Sequence, residues 1–153
     1  MIGSLLFERE ETQAIKEVTI MWDGFFENLE AGGPEAAWQG FLDFRNGPGS
    51  WENFTDKTRD NFLSRTEGHV ANIHANKSNP TTMAELATIT VPTLAIRSER
   101  PTHFDLRMVE LVAEAIPACE FITLPDTEHM CPLTHPDLVA KAIGGHLSKA
   151  GSV

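Results

Sequence analysis

The chain has 153 residues, with 12 Lys and Arg against 22 Asp and Glu, for a formal net charge of -10. That length fits one domain or a piece of one, and the acidic balance excludes a general binder of nucleic-acid phosphates or of anionic membrane surfaces. A hydrophobic fraction of 41% and a charged fraction of 22% exclude disorder throughout. Cys119 and Cys131 can form at most one bridge, so no secreted disulfide framework is expected. The start, Met1 to Phe7, runs into Glu8-Arg9-Glu10-Glu11. It has no basic opening and too short an apolar run for a signal peptide or a membrane span, so a cytoplasmic setting is expected.

Residues 1–80 read as helices. They hold all three tryptophans and seven of the nine phenylalanines. Ile15, Val18, Trp22, Phe25, Phe26 and Leu29 share one face at helical spacing. Gly32 and Gly33 stop that helix, and Pro34 can open the next, whose stripe is Ala37, Trp38, Phe41 and Leu42. Asn46-Gly47-Pro48-Gly49 is a break, after which Ser50 is expected to cap a helix carrying Trp51, Phe54, Thr58 and Phe62. The pattern weakens beyond Leu63, and residues 76–80 read as a loop.

Residues 81–153 differ. A short helix over 82–88 precedes the β-rich run Val91 to Ile96, with Pro92 at its start where a lost donor is tolerated. An amphipathic helix from Phe104 to Ile116 ends at Pro117, and Phe121 to Leu124 is a second buried strand. Residues 125–135 read as an irregular loop. Pro136 opens a last helix with Leu138, Val139, Ala142, Ile143 and Leu147 on one face. Strand, helix, strand, helix is a βαβα unit with a crossover long enough for parallel pairing. Two parallel strands need further neighbours, so the expectation is the edge of a larger sheet and an incomplete chain.

Several of these residues resemble a known family. Ile89-Thr90-Val91-Pro92-Thr93-Leu94-Ala95-Ile96 is similar to a strand entry of α/β-hydrolases, and Leu124 to Pro136, with His129 and Pro132-Leu133-Thr134-His135-Pro136, resembles the loop that carries their catalytic histidine. Residues 8–65 look like the helical cap inserted ahead of those strands. The resemblance implies an α/β fold in which 1–80 is a cap-like region and 81–153 is the C-terminal part of the core. It implies no cofactor. The family's G-x-S-x-G nucleophile elbow is missing, since no two glycines lie four residues apart, and so is its oxyanion-hole motif. Gly47-Pro48-Gly49-Ser50 follows a helix, and Ser50 is better read as a cap than as a nucleophile.

By that resemblance His129 is the general base of a catalytic triad. The partner acid is open. The family's turn after the first of these strands reads Ser98-Glu99-Arg100-Pro101 here, leaving Glu99 and then Asp105 as candidate carboxylates, or an acid on a strand outside this chain. The plainer readings are a solvated Glu99 and an Asp105 lining the first turn of a helix. Asp126 and Glu128 sit too near His129 in sequence to orient its ring. His135 reads as a cap. Neither His129, Cys131 and His135 nor His69 and His74 match a recognised zinc spacing. A Cys131–His129 nucleophile pair has the same neighbour problem. The expected function is the C-terminal portion of an α/β-hydrolase. When completed, it would hydrolyse an ester, lactone, epoxide or carbon–carbon bond in a small apolar molecule; this chain alone would be inactive. The alternative is a non-catalytic assembly module, pairing through an open sheet edge with itself or with a missing N-terminal half.

Overall fold

The computed structural model describes residues 3–151. It is a mixed α/β structure in which helices dominate and a small parallel sheet lies at one side. A short helix α1 (Ser4–Glu8) leads into α2 (Thr12–Asn46). Helix α2 is two arms. Gly33 at φ 75 and ψ -169 breaks the helical run, and Pro34 opens the second arm. The arms fold back on each other, so that Phe25 meets Trp38 and Phe41 edge to face at 5.6 and 5.9 Å.

Ser50 does not cap a helix. Residues 48–53 are turns, in which the Ser50 hydroxyl donates to the Gly47 carbonyl at 2.7 Å and the Trp51 amide donates to Asp43 Oδ1 at 2.8 Å. Burial of the Trp51 indole holds this turn in place. The next helix, α3 (Asp56–Leu63), starts where Thr55 adopts an extended backbone and its side chain accepts from the Thr58 amide. Helix α4 (Thr66–Lys77) was not expected from the sequence pattern. It buries only Ile73, so its hydrophobic stripe is too thin to read.

Helix α5 (Met83–Leu86) has a reciprocal capping box between Thr82 and Glu85. Strand β1 (Thr93–Ser98) begins just after Pro92, helix α6 (His103–Ala115) crosses over, and strand β2 (Cys119–Leu124) returns parallel to β1. Thr93 pairs with Cys119 and Ser98 with Leu124. The region after β2 is not wholly irregular: Cys131–Thr134 forms a single turn, α7, before α8 (Pro136–Ala150).

One hydrophobic core spans both parts of the chain, joining Leu5, Trp22, Phe25 and Leu42 to Phe104, Met108 and Leu111. The sheet is less enclosed by comparison. Among the described residues β1 pairs with β2 alone, and α8 buries none of its side chains. Ile143 and Leu147 are 43% and 62% exposed, and Val91 is open to solvent. Among the described residues no helix is long and apolar enough to cross a membrane.

Candidate active site

The loops after β1 and β2 run side by side at the carboxyl end of the sheet, where open α/β sheets place their ligands. They are stapled together. The Glu99 amide donates to the Leu124 carbonyl and the Arg100 amide to the Thr127 carbonyl, both at 3.0 Å. The Arg100 guanidinium reaches the Asp126 carboxylate at 3.0 Å and Glu128 Oε1 at 2.8 Å. Asp126 turns the chain with φ 54, a left-handed conformation that Asp tolerates. Its amide donates to Glu99 Oε2 at 2.7 Å. Glu99 therefore clamps the histidine loop through backbone. Buried Thr127 closes the turn by donating to the Leu124 carbonyl at 2.9 Å.

Asp105 is held by the start of α6. The Thr102 hydroxyl accepts from the Asp105 amide at 3.3 Å and donates to Asp105 Oδ2 at 2.8 Å. That carboxylate is buried and forms a two-pronged ion pair with Arg45, with Nε 3.2 Å from Oδ2 and Nη2 on Oδ1. The guanidinium lies between the rings of Phe41 and Phe104, at 5.5 and 5.4 Å. Arg45 is the last turn of α2, and next to it Asn46 accepts from the Met130 amide at 2.8 Å. The end of α2 thus holds the far side of the histidine loop.

The structure brings His129 and Asp105 together and leaves Glu99 apart. His129 Nδ1 is 3.5 Å from Asp105 Oδ2, but its hydrogen bond is with Arg45 Nη2, at 3.1 Å. A guanidinium donates and never accepts, so Nδ1 must present its lone pair. In the neutral ring the proton then sits on Nε2. Burial is the main cause that pulls the His129 pKa down to about 4; the Arg45 charge adds to it and the Asp105 charge opposes it. At neutral pH the ring is uncharged and offers an N–H at Nε2. That is the reverse of a triad base, which donates from Nδ1 to the carboxylate and keeps a lone pair at Nε2. Conversion to a base requires the Arg45 contact with Nδ1 to give way to Asp105.

His129 opens on a cavity of about 540 Å³ between the sheet end and the helices of residues 12–77. Apolar groups dominate its wall, among them Trp22, Phe41, Ile73, Met108 and Val139. Cys131 also lines it; burial raises its thiol pKa, so it is a protonated thiol rather than a nucleophile. Ser50 lies outside the wall. His135 bonds to its neighbour Thr134, and among the described residues no group of three or more His, Cys, Asp or Glu could hold a metal ion.

Compared with protein-family models, with curated proteins and with solved structures, the chain matches none. The site rests on its own geometry. Sequence reasoning missed Arg45, although a signal was present: Arg45 continues the apolar stripe of Trp38, Phe41 and Leu42 at helical spacing. A cation on such a stripe must find a buried anion.

Proposed function

We propose that this chain is the cap and C-terminal core portion of an α/β-hydrolase whose complete form cleaves an ester, lactone, epoxide or carbon–carbon bond in a small apolar molecule. The observation that carries this reading is the Asp105–His129 contact at the carboxyl ends of two parallel strands, opening on an apolar cavity. In this reading His129 is the base and later the acid, Asp105 orients it, and the cavity is the substrate chamber. Glu99 is a loop clamp. The serine nucleophile and oxyanion hole come from a second polypeptide segment, which adds strands to the free edge of β1. Arg45 holds the histidine in its donor form until that segment docks and draws the ring onto Asp105.

A second reading is a non-catalytic assembly module. The open edge of β1 and the exposed apolar face of α8 favour it, since such surfaces pair with another chain or a second copy. The test is co-expression with the segment encoded directly upstream of Met1, followed by assay of small activated esters. The hydrolase reading expects turnover by the combination only, abolished in His129→Ala. An upstream segment without a G-x-S-x-G elbow, or a complex that forms without turnover, favours the assembly module. Robust turnover by the isolated chain refutes the role assigned to the second segment.

A further inference from the structure

Among the described residues one buried side-chain nitrogen lacks a hydrogen-bond partner, and it belongs to a residue of the cavity wall. His69, on α4, sits among the rings of Phe25, Trp38 and Phe41, with centroids 4.8, 4.5 and 4.7 Å away. Its Nε2 is buried, and among the described residues it has no hydrogen-bond partner. A buried polar atom left unpaired carries a desolvation cost that native structures rarely tolerate without a reason. Three other polar side chains of the wall are engaged. Arg45 is bound to Asp105 and His129, Arg97 to Thr123 and Glu110, and Asn76 to Asn72.

We propose that His69 is the polar anchor of the chamber roof, fixing a small aromatic or aliphatic ligand by a single neutral hydrogen-bonding group such as a hydroxyl or carbonyl. The inference rests on the cavity being a substrate chamber and adds the class of ligand it selects. Three features support it. His69 lines the same cavity as His129, and its buried Nε2 meets a ligand there once the ring turns about its Cβ–Cγ bond. Burial, reinforced by the Arg45 charge, pulls the His69 pKa down to about 4, so the ring is neutral at ordinary pH and can pair with an uncharged group. The surrounding aromatic rings match an apolar ligand body. A carboxylate ligand is disfavoured, because neither histidine is protonated and Arg45 is already neutralised by Asp105.

The test uses two probes of matched shape, benzyl alcohol and ethylbenzene, which differ in the polar group. Each is titrated into the full chain and followed by NMR, using cavity methyl signals of Ile73 and Met108 and the ring nitrogens of His69. Both probes are expected to shift the methyl signals, and only benzyl alcohol to shift His69 Nε2. In His69→Phe, which keeps an aromatic ring in the box, the affinity ratio of benzyl alcohol to ethylbenzene should fall about 3- to 10-fold, the range of one net hydrogen bond. His69→Gln, which restores a donor and an acceptor, should recover part of that ratio. Should His69→Phe fail to fold, the wild-type nitrogen shifts decide alone. Occupancy of the cavity by both probes with His69 Nε2 unmoved, or an unchanged ratio in His69→Phe, overturns the anchor and leaves the chamber standing. Methyl signals that respond to neither probe overturn the chamber as well.

Discussion

Replacing Arg45 by Met tests the tautomer argument. Methionine keeps much of the side-chain volume between Phe41 and Phe104 but removes the charge and every donor. The pair is deeply buried, with side chains 6% and 7% exposed for Arg45 and Asp105. Breaking a buried ion pair from one side costs about 3–5 kcal/mol, because the remaining charge is left uncompensated. Two groups soften that cost here: Thr102 still donates to Asp105 Oδ2, and His129 is 3.5 Å away and can turn its Nδ1–H to the carboxylate. The expected loss therefore falls below that range, to about 2–3 kcal/mol, given that a hydrogen bond to a charged group contributes about 1.5–3 kcal/mol and less after the ring is reoriented. Urea unfolding followed by the fluorescence of buried Trp22, Trp38 and Trp51 measures it.

The same variant should change His129 itself. With Arg45 gone, one cause of the low pKa disappears and the opposing Asp105 charge remains, so the pKa must rise from about 4. The proton of the neutral ring should move from Nε2 to Nδ1. Ring-nitrogen NMR reads both. Arg45→Lys, which keeps the positive charge, should hold the pKa low. A His129 in Arg45→Met that still titrates near 4 with its proton on Nε2 would show that the guanidinium is not what sets the tautomer, and the gating role of Arg45 would fall.

Acid should destabilise the wild-type chain between pH 6.5 and about 4. His69 and His129 both have folded pKa values of about 4, below the ordinary 6.5, so the unfolded chain binds more protons in that window and stability is lost as pH falls through it. A lone histidine with this difference would contribute about 3 kcal/mol when fully buried, but His129 is 35% exposed and screening reduces its share to about 1–2 kcal/mol; urea midpoints that stay flat from pH 7 to pH 4.5 would refute the shifts. The two candidate acids separate by titration. Asp105→Asn should lower the His129 pKa, since it removes the one charge that raises it, whereas Glu99→Gln should leave it alone and cost about 1 kcal/mol through the weakened bond to the Asp126 amide; the opposite pattern would reassign the acid.

Legibility followed the density of the hydrophobic signal. Helix α2, its break at Gly33, helix α6 and both strands stand out because each has a full apolar stripe or run bounded by Gly or Pro. Helix α4 was lost because its inward face is spent on the cavity: His69, Asn72 and Asn76 occupy positions that a core helix would fill with Leu or Ile. Ser50 misled because a cap residue after a glycine break is only a local signal, and the capture of the Trp51 amide by Asp43, eight residues back, is not. His129 and Asp105 could be named from sequence, but their relation could not, because it depends on an arginine sixty residues before Asp105.

The misses share a cause that sharpens the reading of the site. Arg45 and His69 are both polar groups at positions where helical spacing points inward, and burying either without a partner costs free energy. Arg45 resolves that cost within the chain, through Asp105 and His129. His69 does not, and its buried nitrogen faces aromatic carbon on several sides. A chain selected for stability alone would gain by placing Phe or Leu at 69, where the aromatic box is already built. Substitution by Phe should therefore raise the urea midpoint, and it should also remove the acid sensitivity that His69 contributes between pH 6.5 and 4. A stability gain joined to a loss of preference for hydroxyl-bearing ligands is the signature of a residue kept for binding. A stability loss in His69→Phe would mean that the ring nitrogen is satisfied within the fold and has no vacancy to offer a ligand.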